Sequence, residues 1–164
     1  VLVAYDDAAQ IFTKEGNGFT VISTKTAEAK TEKPESRKSA RTIDERDAEL
    51  RMKSAPGAIF RVDLDPAHPL AFGYANEIAV FQEGTLTFDP EGGGLAIGRF
   101  VDAPMLSGYL HEESEQSMRN RGYAMVEPRG RGAVVLFAGD PNFRSAWQGL
   151  SRLFLNAVLL LPRP

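Results

Sequence analysis

The chain has 164 residues, 43% of them apolar and 25% charged, with a formal net charge of -3. That length suits one domain with a buried core, and the mild negative charge excludes the global positive field that draws nucleic acid or an anionic membrane. There is no cysteine, which excludes disulfides, thiolate catalysis and Cys-ligated zinc. No run of residues reaches the ~18 apolar positions of a membrane-spanning helix.

In chain order, Val1–Tyr5 reads as a buried-type strand entered at its first residue. It has neither a methionine nor a basic segment ahead of an apolar one, so it is not a signal peptide. A domain that opens on a strand predicts a piece of a longer polypeptide. Asp6 and Asp7 predict a cap for a short helix, Ala8–Glu15, which Gly16, Asn17 and Gly18 end. Phe19–Ser23 reads as a second strand. Lys25–Lys53 then changes character: it has no aromatic residue, is dense in both signs of charge and contains Pro34. It reads as an exposed, partly disordered insertion. Inside it, Thr42 followed by Glu45 predicts a helix over Ile43–Met52.

Ala58–Leu64 alternates apolar and polar residues and reads as a strand. Further short strands are predicted at Ile78–Phe81, Leu86–Phe88, Ala96–Phe100 and Met105–Leu110, parted by Gly, Pro, Asn and Asp. Gly92-Gly93-Gly94 is one such turn and lacks the spacing of a phosphate-binding loop. Glu112–Asn120 reads as a short polar helix. Tyr123–Glu127 and Ala133–Ala138 read as strands joined by PRGRG, with Arg129 and Arg131 solvated on the turn. The final helix has one apolar face: Ala146, Leu150, Leu153, Phe154, Ala157, Val158 and Leu161, widened by Leu155, Leu159 and Leu160. Such a helix is expected to be buried against a sheet and to stop at Pro162. Asn156 lies inside it, and a buried Asn needs hydrogen-bond partners, so it is expected to tie the helix to a neighbouring backbone.

The chemistry-bearing residues are sparse. His68 and His111 belong to no short-range His/Glu set, and a catalytic zinc takes three protein ligands, so no metal site is expected. His68, between Pro66 and Pro69, is expected to bond a main-chain group. Asp102, Ser107 and His111 have the residue types of a hydrolase triad, but no G-x-S-x-G elbow presents the serine. The strand, loop and helix from Gly130 to Leu161 remain. Ligands bind at the carboxyl ends of strands in open α/β sheets, which makes Asp140, Asn142, Arg144 and Trp147 the candidate ligand-binding residues. Arg144 suits a carboxylate, and Trp147 suits a pocket wall or an interface anchor. The competing expectation is an Asp140–Arg144 salt bridge, or an Asp140 cap, that only fixes the loop.

The combination GAIFRVDLDPAHPLAFGY, then LSGYL, then GRGAVVLFAGDPNFRSAWQGLSRLFLNAVLL resembles the carboxyl-terminal domain of large bacterial zinc-carboxypeptidase-like proteins. The resemblance covers Ala55–Leu161 well and Val1–Ser23 loosely. It implies an α/β fold, a flavodoxin-like three-layer sandwich similar to class I glutamine amidotransferases, with extra β-hairpins. Residues 1–164 would form that single domain, with 25–53 as a charged insertion. Active amidotransferases use a Cys nucleophile at a strand–helix elbow with a His and a Glu, and this chain has no Cys. Zinc-binding His and Glu residues would belong to a separate peptidase domain. The resemblance therefore implies no catalytic residue, metal or cofactor in this chain, and zinc only in the parent peptidase domain. The implied role is an accessory one: packing on, orienting or gating a peptidase domain of the same polypeptide, in a periplasmic or secreted protein. Two rival readings stand beside it. One is a small-molecule or peptide-binding module near Asp140 and Arg144. The other is a Ser-dependent hydrolase using Ser107, His111 and Asp102.

Overall fold

The computed structural model describes residues 1–14, 16–24 and 56–161. Its strands are β1 (Leu2–Tyr5), β2 (Ala58–Leu64), β3 (Glu77–Gln82), β4 (Leu95–Gly108), β5 (Gly122–Arg129) and β6 (Gly132–Phe137). Its helices are α1 (Asp6–Phe12), α2 (Glu112–Met118) and α3 (Ser151–Leu160). The fold is mixed α/β, with the strands in one sheet of order β1-β6-β5-β4-β2-β3. β1 runs parallel to β6, and the other pairings are antiparallel. The sheet curls, so that the loop after β6 packs against Phe81 and Gln82 of β3, although three strands, β5, β4 and β2, separate β6 from β3 in order. No helix among the described residues is long and apolar enough to cross a membrane. The charged insertion, its helix over 43–52 and the stop at Pro162 lie outside the described residues.

Alternation along the strands builds the core. In β2, Ala58, Phe60, Val62 and Leu64 are buried, while Ile59, Arg61 and Asp63 are not. β5 and β6, both flanked by strands on either side, are buried over most of their length. A row of rings crosses the sheet through Phe60, Phe100, Tyr123 and Phe137. Its centroids are 5.8, 5.7 and 6.4 Å apart, and the first two contacts are edge-to-face. Each such contact contributes about 0.5–1.5 kcal/mol beyond area burial.

Several expected elements differ, each for a physical reason. Asp6 and Asp7 do not cap α1 from outside. Asp6 is its first residue, at φ 52, and Tyr5 occupies the cap position without a side-chain bond. Phe19–Ser23 is not a strand. It is held by side chains instead: the Glu127 carboxylate accepts from Thr20 Oγ1 at 2.5 Å and Val21 N at 3.0 Å, and Arg129 donates to the carbonyls of Phe19 and Gly18. Arg129 is thus engaged rather than merely solvated. Leu86–Phe88 forms only isolated bridges, from Phe88 to Thr24 and Gly122. The predicted strands Ala96–Phe100 and Met105–Leu110 are one strand, β4. Residues 101–104 bulge out between Phe100, which faces Val62, and Met105, which faces Phe60.

The last helix begins at Ser151, not Ala146, because two short 3-10 turns, Phe143–Ser145 and Gln148–Leu150, precede it. α3 buries Leu153, Asn156 and Ala157, whereas Leu155, Val158, Leu159 and Leu160 are exposed. It packs mainly on the turn Pro69–Ala71, so only part of its apolar surface is covered. Asn156 fulfils its expected role: Nδ2 donates to Leu70 O and Phe72 O, each at 2.9 Å. His68 does too, its Nδ1 accepting from Leu70 N at 3.2 Å.

Candidate functional site

β6 delivers its chain into a loop, Gly139–Gly149, that lies on β3. Asp140 turns inward, its Oδ1 accepting from Asn142 N at 2.7 Å, a local turn that Asp favours. Phe143 stacks on Phe81 with ring centroids 4.4 Å apart. Trp147 lies 6.5 Å from the same ring and donates from Nε1 to Ala79 O at 3.0 Å. Arg144 and Ser145 hold φ of 47 and 55. Two successive non-glycine residues in the left-handed region cost about 1–3 kcal/mol each and persist where surrounding contacts fix them. Here those contacts are the Phe143 and Trp147 anchors on either side.

The anchors wall a cavity of about 360 Å³, lined by Ile59, Phe81, Ser107, Phe143, Ala146 and Trp147, with Gly57, Ala58 and Gly108 beneath. That volume falls in the small-molecule range of about 300–1,000 Å³. The two glycines let the floor form. A Cβ on Gly108 (φ +108) would stand 2.8 Å from Ala58 Cα, and one on Gly57 (φ +137) would stand 2.7 Å from the Phe81 ring. Trp147 also lines a second cavity, of about 420 Å³, with Ile78, Ala79, Ala146, Gln148 and Gly149. The Arg144 guanidinium lies over Phe143, its Cζ 5.0 Å from the ring centroid, and Arg144 is exposed.

The four predicted residues therefore share one loop, but not in the expected arrangement. Among the described residues no ion pair joins Asp140 to Arg144. The helix start expected beside them lies beyond Gly149, so no helix amides converge there. Asp140 fixes the loop by its turn, Asn142 supplies the amide that it accepts, and Trp147 is the pocket wall. Sequence reasoning missed Phe81, Ile59, Gly57 and Gly108, which strands distant in sequence bring in. It placed Ser107 with His111 and Asp102. Instead, Ser107 lines the aromatic cavity, Asp102 Oδ1 accepts from Asn120 Nδ2 at 2.6 Å, and His111 occupies the cap position of α2.

Two other features are polar. A groove of about 590 Å³ on β2 and β4 is lined by Arg61, Asp63, Asp65, Arg99, Asp102 and Asn120. Its groups largely serve one another: Asp63 faces Arg99 across the strands and Asp102 holds Asn120. Arg61 Nε lies 3.3 Å from Glu77 Oε1 but without hydrogen-bond alignment, so that contact is an ion pair only. The second feature is at Asp6. Partial burial pushes its carboxyl up from the ordinary 3.8, and the carboxylates of Asp7, Glu83 and Asp140 push it the same way. Nearby, Tyr123 is fully buried and its hydroxyl lacks a partner. Burial, then Asp140 and Tyr74, push its phenol up as well. Among the described residues no group of His, Asp and Glu is arranged to hold a metal. Neither a family model, nor a curated protein, nor a solved structure matches the chain.

Proposed function

We propose that this chain is a non-catalytic, amidotransferase-like domain of a larger zinc-carboxypeptidase-like protein, where it packs on and orients a peptidase domain. The observation that carries the reading is the turn from β1 into α1. β1 ends at Tyr5, Asp6 takes φ 52, and α1 begins at once. A strand, a left-handed residue and a helix form the elbow on which nucleophiles of α/β hydrolytic folds are presented, and here the elbow carries a carboxyl group. The parallel pair β1–β6 beside it suits the flavodoxin-like part of the reading.

Sequencing the reading frame ahead of Val1 tests this. The expected result is a domain bearing zinc-binding His and Glu residues. A frame without one overturns the proposal. In the parent protein, Asp6→Ala is expected to leave peptidase kcat/KM within twofold, and a hundredfold loss would make Asp6 catalytic. A second reading, a binding module at the loop after β6, is favoured by the aromatic cavity and needs no peptidase.

A further inference from the structure

We propose that the cavity walled by Phe81, Phe143 and Trp147 binds the carboxyl-terminal residue of a peptide ending in an apolar side chain, with Arg144 taking the terminal carboxylate. The inference deepens the binding-module reading and is independent of any peptidase domain. The walls are three aromatic rings and Ile59, with the Ser107 hydroxyl as the polar side chain among them. Such a lining selects an apolar side chain and orients it with few polar groups. The walls are preformed: Trp147 is held by its bond to Ala79 O, and Phe143 by its stack on Phe81. A preformed site loses little side-chain freedom on binding.

Charge selects the other half of the ligand. Arg144 is exposed, pairs with no carboxylate among the described residues, and stands over the Phe143 ring that forms one wall. Its planar fork suits bidentate binding of a carboxylate. Asp140, the acid of the same loop, accepts from Asn142 N, and Arg144 is left to define the charge preference. The second cavity decides between a free amino acid and a peptide. It meets the first at Ala146 and Trp147 and continues along Ile78 and Ala79 of β3, giving the preceding residue a place.

Trp147 is the sole tryptophan of the chain, so its fluorescence reports on the cavity directly. The chain is titrated with a tetrapeptide ending in Phe, with the same peptide as its carboxyl-terminal amide, and with free phenylalanine. The expected result is saturable binding of the acid, at least tenfold weaker binding of the amide, and at least tenfold weaker binding of free phenylalanine. Arg144→Gln is expected to weaken the acid at least tenfold and to erase the difference between acid and amide. Circular dichroism of that exposed-site variant checks its fold, and Arg144→Lys should retain part of the preference. Acid and amide binding equally overturns the carboxylate assignment while leaving a binding module. Free phenylalanine binding as tightly as the peptide overturns the peptide assignment. No saturable change with any of them overturns both the inference and the binding reading beneath it.

Discussion

The two edge strands of the sheet meet their surroundings in opposite ways. The free side of β3 is closed in cis: the loop after β6 lies on it, and Trp147 Nε1 takes the carbonyl of Ala79. β1 pairs with β6 alone among the described residues, and its own residues, Leu2, Val3, Ala4 and Tyr5, include no charge and no proline. Natural edges are normally blunted by such devices. Closing one edge with aromatic side chains also created a cavity, because flat rings set against a curled strand do not fill the angle between them. The same sheet thus has one edge whose protection doubles as a candidate site, and one edge that no strand pairs among the described residues.

The largest effect is expected in the floor of the cavity behind the closed edge, where β4 passes close to β2. Gly108→Ala should destabilise the fold by about 2–6 kcal/mol. Left-handed strain at φ +108 contributes about 1–3 kcal/mol, and the 2.8 Å approach to Ala58 Cα adds an overpacking cost of about 1–3 kcal/mol. Urea unfolding followed by circular dichroism measures it. A loss under about 1 kcal/mol would mean that β2 and β4 part easily here and that the floor of the cavity is not rigid.

Removing the plug is the next test. Trp147→Ala should cost about 2 kcal/mol, less than the ~3–5 kcal/mol of a fully buried aromatic truncation because the ring is only half-buried. Trp147→Phe keeps a ring and loses the Nε1 bond, and should cost about 1 kcal/mol. If both variants match the parent in urea titrations, the loop holds β3 through Phe143 alone.

This contrast was only half legible in the sequence. β2 could be read to its end residues because period-two alternation is dictated by one buried face. Asp140, Asn142 and Arg144 could be placed together after β6 because Gly139 and Pro141 interrupt the pattern locally, whereas Trp147 reads as part of the helix expected from Ala146 and lies instead on the loop before Ser151. The other walls could not be placed there, since Phe81, Ile59 and Ser107 meet that loop only through the curl of the sheet. Phe19–Ser23 has the composition of a strand, yet its partner is the Glu127 carboxylate, 106 positions away from Val21. β4 looked like two strands because Asp102-Ala103-Pro104 resembles a turn, and a turn and a bulge use the same residues. Asp6 could have been noticed: an acid directly between an apolar strand and a helix is the local signal of an elbow, and it also resembles an ordinary cap.

On the β1 side, the expected effect is a change of pH dependence rather than a collapse of the fold. The Asp6 carboxyl is raised above 3.8 by burial and by Asp7, Glu83 and Asp140. A raised folded-state value means that the folded protein holds the proton more tightly. The contribution is therefore fully favourable below 3.8 and is lost as pH rises through the folded value, leaving ionised Asp6 a liability at neutral pH. Asp6→Asn keeps a residue type that tolerates left-handed backbone. It should raise the neutral-pH midpoint of thermal unfolding and flatten its dependence on pH over the acidic window just above 3.8. A variant less stable at neutral pH would show that the ionised carboxylate is paired with something beyond the described contacts.

The smallest effect on stability, and the cleanest probe of the bare edge, is expected from Tyr5→Lys. Tyr5 is 37% exposed at the end of β1, and substitutions at such positions fall within about 0.5 kcal/mol. Its consequence should appear in association instead. An unpaired apolar edge is a template for another strand, and a lysine on it blocks pairing by charge. Sedimentation velocity over a range of concentrations should show less self-association for Tyr5→Lys than for the parent, with unchanged urea midpoints. Equal association in both would mean that β1 is not the surface that brings copies together. The contrast between the two edges would then lie in their covering alone and not in their behaviour.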